Sequence, residues 1–312
     1  MTNPGQRAPG SFDASSARTL VAGDFESVFL PAHGMLGVSL RHRGAELLRR
    51  VEDLASAASR GSSAGIPLLH PWANRLASAR YRAAGRDVSL DPRSPLLHLD
   101  EHGLPMHGVP WSRLEWEVVD STRERLVARL DWDREELLAI FPFPHRLELA
   151  AILGAAGLTL ETTLAAGAAG PVPVSFGFHP YFGIPGLARA GWRLAGPEMQ
   201  RIVLDGRGIP IGKEEHFAAF DAPLGGRDLD DGFALPGERG SFTLTGGGRR
   251  ISVDFLEGFR YAQLFAPLGR DFVALEPMTA PANALVSGRG LRLVEPGESF
   301  RATFRIRVEE TG

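Results

Sequence analysis

The chain has no cysteine, which excludes disulfides, thiolate nucleophiles and cysteine-ligated zinc. Lysine is nearly as scarce. Lys213 is the only one, so Schiff-base chemistry has a single candidate, and nothing around that residue suggests the role. A basic stripe is also missing: 34 Lys and Arg are scattered among 37 Asp and Glu for a net charge of −3, which makes nucleic acid and acidic membrane surfaces poor partners. No apolar run approaches membrane-spanning length, and the polar start, MTNPGQRAPGSFDASSA, lacks the apolar core of a secretory signal. A cytoplasmic protein is expected, its chemistry left to histidine, carboxylates and hydroxyls.

What is present reads mostly as strand. The C-terminal stretch alternates apolar Phe300, Ala302, Phe304, Ile306 and Val308 with polar Arg301, Thr303, Arg305 and Arg307, the pattern of a half-buried strand. Period-two segments recur at Leu126 to Trp132, Leu147 to Leu153, Leu158 to Leu164 and Ile251 to Phe255, and Gly154 with Gly157 reads as a hairpin turn. Gly246 to Gly248 also reads as a turn, because it lacks the Lys and Ser/Thr of a phosphate-binding loop. Helical pattern is sparse. Between Ala45 and Arg60, VEDLASAASR favours a helix, and AELLRR before it fits either a helix or a strand. Residues 1–16 read as a disordered lead-in, and 17–312 as one large antiparallel β-sandwich domain with more strands than an immunoglobulin-like fold.

Five stretches combine polar groups with proline, glycine or aromatics. In PVSFGFHPYF, Pro180 biases His179 towards an extended conformation at a strand end, and Phe176, Phe178, Tyr181 and Phe182 are the expected pocket walls. An isolated histidine in such a run also fits a core or capping role. GIPLLHPWANRL carries Asn74 and Arg75, whose guanidinium suits vicinal hydroxyls or a carboxylate, though a structural arginine fits as well. GLPMHGVPW places His107 before Gly108 on a loop, with His98 and His102 read as surface histidines. RDLDDGF holds Asp230 and Asp231 before a glycine, a pattern that also reads as a turn. In FVALEPM an apolar strand delivers Glu276 ahead of Pro277, and a carboxylate at the end of a buried strand is costly unless paired or used.

Taken in order from about Leu30 onward, the ANR of Asn74 and Arg75, the HG of His107 and Gly108, the HPYF of His179, the DDGF of Asp230 and the EP of Glu276 resemble the aldose 1-epimerase (mutarotase) family. LLHPW and the Val109-Pro110-Trp111 that follows HG are closer to its less characterised branches. The resemblance implies an all-β, galactose mutarotase-like antiparallel β-supersandwich with few short helices. It implies His179 as general acid, Glu276 as general base, and Arg75, His107 and Asp230 as sugar contacts, with Asn74 beside them. Asp230 is preferred to Asp231 because the family places its aspartate three residues before the phenylalanine.

The implied partner is a small-molecule sugar, a free aldohexose, whose anomers interconvert by ring opening and closure without a metal, nucleotide or other cofactor. In this reading Glu276 is ionised at neutral pH without special tuning, and His179 is kept partly protonated by a nearby carboxylate. Three alternatives remain open. One is a non-catalytic carbohydrate-binding β-sandwich stacking sugars on Trp72, Phe178 and Tyr181; another is a glycoside hydrolase built on Asp230 and Glu276; the third is a mutarotase for hexose 6-phosphates. Nothing in the sequence fixes an oligomeric state.

Overall fold

A computed structural model of the chain describes residues 16–51, 53–59 and 64–311. The expected lead-in therefore lies outside the described residues up to position 15. All the expected strands are present, a little longer than the pattern drew them: Arg125–Trp132, His145–Gly154, Gly157–Ala166, Arg249–Glu257 and Ser299–Glu310.

These five are consecutive neighbours in a nine-stranded antiparallel sheet, with Ser299–Glu310 between Arg249–Glu257 and Gly157–Ala166. Gly154 pairs with Gly157 across the hairpin. Gly157 has to be glycine, because a Cβ there would lie 2.0 Å from the Ile306 carbonyl oxygen of the adjoining strand. The Gly246 to Gly248 turn joins Gly240–Gly246 to Arg249–Glu257 as expected.

A second antiparallel sheet of eight strands orders Pro210–Phe217, Met199–Leu204, Leu229–Ala234, Tyr261–Ala266, Val273–Met278, Gly177–Phe178 and Leu68–Leu69, with Tyr181–Phe182 also pairing on Val273–Met278. The apolar faces of the two sheets meet in the main core. Phe178 of one packs on Phe304 of the other at 5.0 Å between ring centroids, and Phe176, just before the strand of Phe178, packs on Phe300 at 6.2 Å. Each such ring contributes roughly 1.5–3 kcal/mol by leaving water. A four-stranded sheet and two hairpin-sized sheets complete the set. The ambiguous stretch divides: Ala45–Glu46 is a short strand and Leu54–Ser59 a short helix.

The alternation that builds the core also builds the site. In Tyr261–Ala266, Ala262, Leu264 and Ala266 point into the core, so Gln263 and Phe265 face the other way. Cross-strand register places Asp230 beside Phe265 and Glu276 beside Gln263 on that same outer face.

Candidate active site

The outer face carries a cavity of about 530 Å³, within the usual range of ~300–1,000 Å³ for small-molecule sites. His179, Glu276, Arg75, His107, Asn74 and Asp230 all line it, so six residues spread over some two hundred positions of sequence converge on one space. His179 sits between the short strands Gly177–Phe178 and Tyr181–Phe182, where Pro180 keeps the chain extended and the His179 N–H donates to the Pro67 carbonyl at 3.1 Å. Glu276 reaches the cavity from a strand buried on both faces.

The two meet directly: His179 Nε2 lies 3.1 Å from Glu276 Oε1. Tyr181 stacks on the imidazole at 4.2 Å between centroids, with its hydroxyl 3.3 Å from Nε2. Burial governs both groups. It pushes the Glu276 carboxyl well above its ordinary 4.5, helped by the charge of Asp230 and opposed by that of Arg75. It pushes the His179 imidazole from 6.5 down to about 3, against a smaller raising contribution from its own backbone. The expectation of a Glu276 that needs no tuning therefore meets an environment that disfavours its charged form, because burial withdraws the carboxylate from water. The carboxylate beside His179 is Glu276 itself.

The surrounding loops fix the remaining donors. His107 and Asn74 both adopt left-handed backbone, with φ of 60° and 59°. The Asn74 N–H donates to His107 Nδ1 at 3.1 Å, so the neutral imidazole carries its proton on Nε2 and is a donor there. Burial, followed by the charges of His179, His98 and Arg75, holds His107 well below 6.5. Gly108, with a φ of +65°, has to be glycine, since a Cβ would lie 2.3 Å from the His70 carbonyl oxygen, the same oxygen that accepts the Val109 N–H at 2.9 Å. Asn74 Oδ1 accepts the Arg75 N–H at 2.8 Å, and Arg75 Nε donates to Asp100 Oδ2 at 2.8 Å.

Asp100 escaped the sequence reading. Its side chain is fully buried, and its other oxygen accepts the N–H groups of His102 and Leu104 at 2.9 Å. Gln263 escaped too, and its Nε2 donates to Asp230 Oδ1 at 2.6 Å. The signal for Gln263 was Tyr261, Gln263 and Phe265 at period two, a face too aromatic to be plain solvent surface.

Several expectations need correction. Asp230 and Asp231 form no turn; they lie in Leu229–Ala234 and point to opposite faces, Asp230 to the cavity and Asp231 towards Arg201 at 3.9 Å. Trp72 and Phe178 are sealed in the core and offer no face for a sugar; of the three proposed platforms only Tyr181 lines the cavity. Phe176 and Phe182 are likewise core residues, and the aromatic wall is Tyr181, Phe265 and Phe272. His98 joins the cavity lining, whereas His102 is a surface residue as expected. Arg49 and Arg270 also line the cavity, Arg49 with its guanidinium 4.7 Å from the Phe272 ring centroid. No group of three or more His, Asp or Glu among the described residues is placed to hold a metal ion.

The sequence profile of the aldose 1-epimerase family matches residues 18–307, nearly the whole chain. The chain belongs to the aldose 1-epimerase family. Among its relatives is the uncharacterised protein YihR of Escherichia coli K12, 25% identical over 256 residues, which are 77% of this chain and 80% of YihR. The Slr1438 protein of Synechocystis sp. PCC 6803 superposes with a TM-score of 0.78 at 25% identity, covering 99% of this chain and all of that one. A galactose mutarotase-like protein of Clostridium acetobutylicum superposes with a TM-score of 0.80 at 19% identity over 95% of both chains, a likeness of fold alone. The architecture is the galactose mutarotase-like one that the family implies. No helix among the described residues is long and apolar enough to cross a membrane.

Proposed function

We propose that this family member interconverts the α and β anomers of a free aldohexose by acid-base ring opening and closure. The observation that carries this reading is the 3.1 Å contact of His179 Nε2 with Glu276 Oε1 at a cavity wall. Ring opening takes a proton from the anomeric hydroxyl and gives one to the ring oxygen. With His179 as acid and Glu276 as base, the proton the pair shares first passes from Glu276 Oε1 to His179 Nε2 across the 3.1 Å contact, and the ring C–O bond then breaks as Nε2 protonates the ring oxygen and the freed carboxylate accepts the hydroxyl proton.

The pair then stands as neutral imidazole and neutral carboxylic acid, the form that burial favours in both groups. Rotation about C1–C2 turns the other face of the aldehyde to the ring hydroxyl, and reversing the two transfers closes the opposite anomer. Arg75, His107 Nε2–H and Asp230 serve as hydroxyl contacts, and Asn74 orients Arg75 and His107. Acid-base assistance of this kind contributes about 10²–10⁴-fold.

Arg49 and Arg270, far apart in sequence and on one cavity, favour a second reading in which the hexose carries a 6-phosphate. NMR of the anomeric protons tests both. A freshly dissolved pure anomer of glucose, galactose or either 6-phosphate should equilibrate faster with the protein than without it. Release of the leaving group from an aryl glycoside, with no acceleration of anomer exchange, would replace the epimerase reading by a hydrolase.

A further inference from the structure

Arg189 is buried, and among the described residues no carboxylate forms an ion pair with its guanidinium. All five of its N–H donors go to backbone carbonyls: Nε to Gly225 at 3.0 Å, Nη1 to Pro267 at 2.8 Å and Arg270 at 2.9 Å, and Nη2 to Ala266 at 2.9 Å and to Arg227. Burial lowers its pKa, with Asp228 and Asp271 opposing through their charge from farther away. Withdrawing a cation from water without an ion pair is expensive, so the arrangement holds only because two stretches of backbone supply every acceptor.

Those two stretches lead to the cavity. Pro267 to Phe272 joins the strand of Gln263 and Phe265 to the strand of Glu276, and Pro267, Arg270 and Phe272 line the cavity. Gly225 to Asp228 runs into Leu229–Ala234, which carries Asp230. A further bond ties the two together, from the Leu268 N–H to Asp228 Oδ1 at 3.1 Å. Arg189 itself is held by a 3₁₀ turn, Arg189–Gly191, whose carbonyl at Arg189 accepts the N–H of fully buried Trp192 at 3.0 Å.

We infer that Arg189 is a positioning residue that fixes the Pro267 to Phe272 wall relative to Asp230, and so sets how tightly and which sugar the cavity holds without touching the sugar. The acid-base pair is held by the pairing of Val273–Met278 with Tyr181–Phe182 and with Tyr261 to Phe265, to which Arg189 contributes no bond, so loosening the clamp acts first on the loop and only weakly on the pair. Lysine keeps the charge of Arg189 but offers three donors from a single point, which cannot span both stretches.

The inference rests on the epimerase reading for its kinetic arm only. Anomer exchange of D-galactose and D-glucose is followed by NMR for the wild type, Arg189→Lys and Asp228→Ala, and binding of 1,5-anhydro-D-galactitol and 1,5-anhydro-D-glucitol, which have no anomeric hydroxyl, is measured by calorimetry. For Arg189→Lys, KM and the anhydrosugar Kd should rise about tenfold and the galactose-to-glucose preference should shift, with kcat within about threefold of wild type. A purely structural role would lower the folded fraction and leave KM, Kd and preference unchanged in the molecules that remain folded, and that result would overturn the inference. Should Arg189→Lys not fold, Asp228→Ala decides it. A smaller rise in KM and Kd supports the clamp, and wild-type values refute it. A wild type that binds the anhydrosugars without exchanging anomers would sink the epimerase reading while the binding arm still judges Arg189.

Discussion

Two buried histidine contacts of almost equal length do opposite things in this molecule. His70 and His145 meet through their Nε2 atoms at 3.0 Å, and His179 meets Glu276 at 3.1 Å. In the first, His145 Nδ1–H donates to the Phe143 carbonyl at 2.6 Å, so its Nε2 is the acceptor for His70 Nε2–H and both rings are neutral. Burial holds His70 well below 6.5 and His145 at about 4. Trp132 stacks on His145 at 5.4 Å, and Phe141 and Phe176 close the surroundings. The second contact shares the length and the burial, but one side opens on a cavity. Proximity and a displaced pKa are common to both; access for a third molecule belongs to one.

Removing each contact should separate the two. Glu276→Gln keeps the shape and the neutral charge of the protonated acid but cannot take up a proton, so anomer exchange should fall by about 10²–10⁴-fold with the urea midpoint kept or raised. Near-normal exchange by NMR would remove Glu276 from the chemistry. His145→Ala should do the reverse, costing about 3 kcal/mol of stability through a cavity and an unpaired His70 donor while exchange per folded molecule is kept. A urea midpoint equal to wild type would show that the core pair is dispensable.

A pH series treats both contacts at once. His42, His70, His107, His145 and His179 all have folded pKa values below their ordinary 6.5. Their contribution to stability is complete above 6.5 and is lost as pH falls towards the folded values. Glu276, raised above 4.5, runs the other way: its contribution is present below 4.5 and is lost as pH rises through its folded value. Asp230 and Asp231, raised above 3.8 by burial, run with Glu276, and with five histidines against these three carboxylates the melting temperature should fall as pH drops below 6.5. The acidic limb of activity in the folded protein should not fall at 6.5, because burial holds the His179 imidazole down to about 3. An inflection at 6.5 in kcat/KM would mean that His179 titrates as an exposed imidazole.

The smallest change stays on the open side of the comparison. Arg270→Ala should raise KM for a hexose 6-phosphate by up to about tenfold and leave the free hexose nearly unaffected. Equal effects on both sugars would discard the phosphorylated substrate.

Much of this was legible in the residues. Alternation in Ser299–Glu310 and its four neighbours revealed half of a sheet sandwich, because a strand buried on one face has to repeat at period two. His179 and Glu276 stood out through Pro180 and through a carboxylate in an apolar strand. Which aromatics face the sugar did not stand out. Phe176, Phe178 and Tyr181 are equally apolar on paper, and register against a distant strand sends two inward and one outward. Asp100 looked like any loop carboxylate, because its burial is created by Arg75 and by two turn N–H groups. The displaced pKa values were hidden for the same reason, since desolvation comes from neighbours in space.

The close approach of Gly108 to the His70 carbonyl gives the cavity one rim that cannot be remodelled. Adding even a methyl group there drives the chain off the core, and His107 moves with it. Anyone retuning this scaffold for a bulkier sugar should leave the 107–108 turn alone and vary the Pro267 to Phe272 loop, which lines the same cavity and is exposed over residues 268–271.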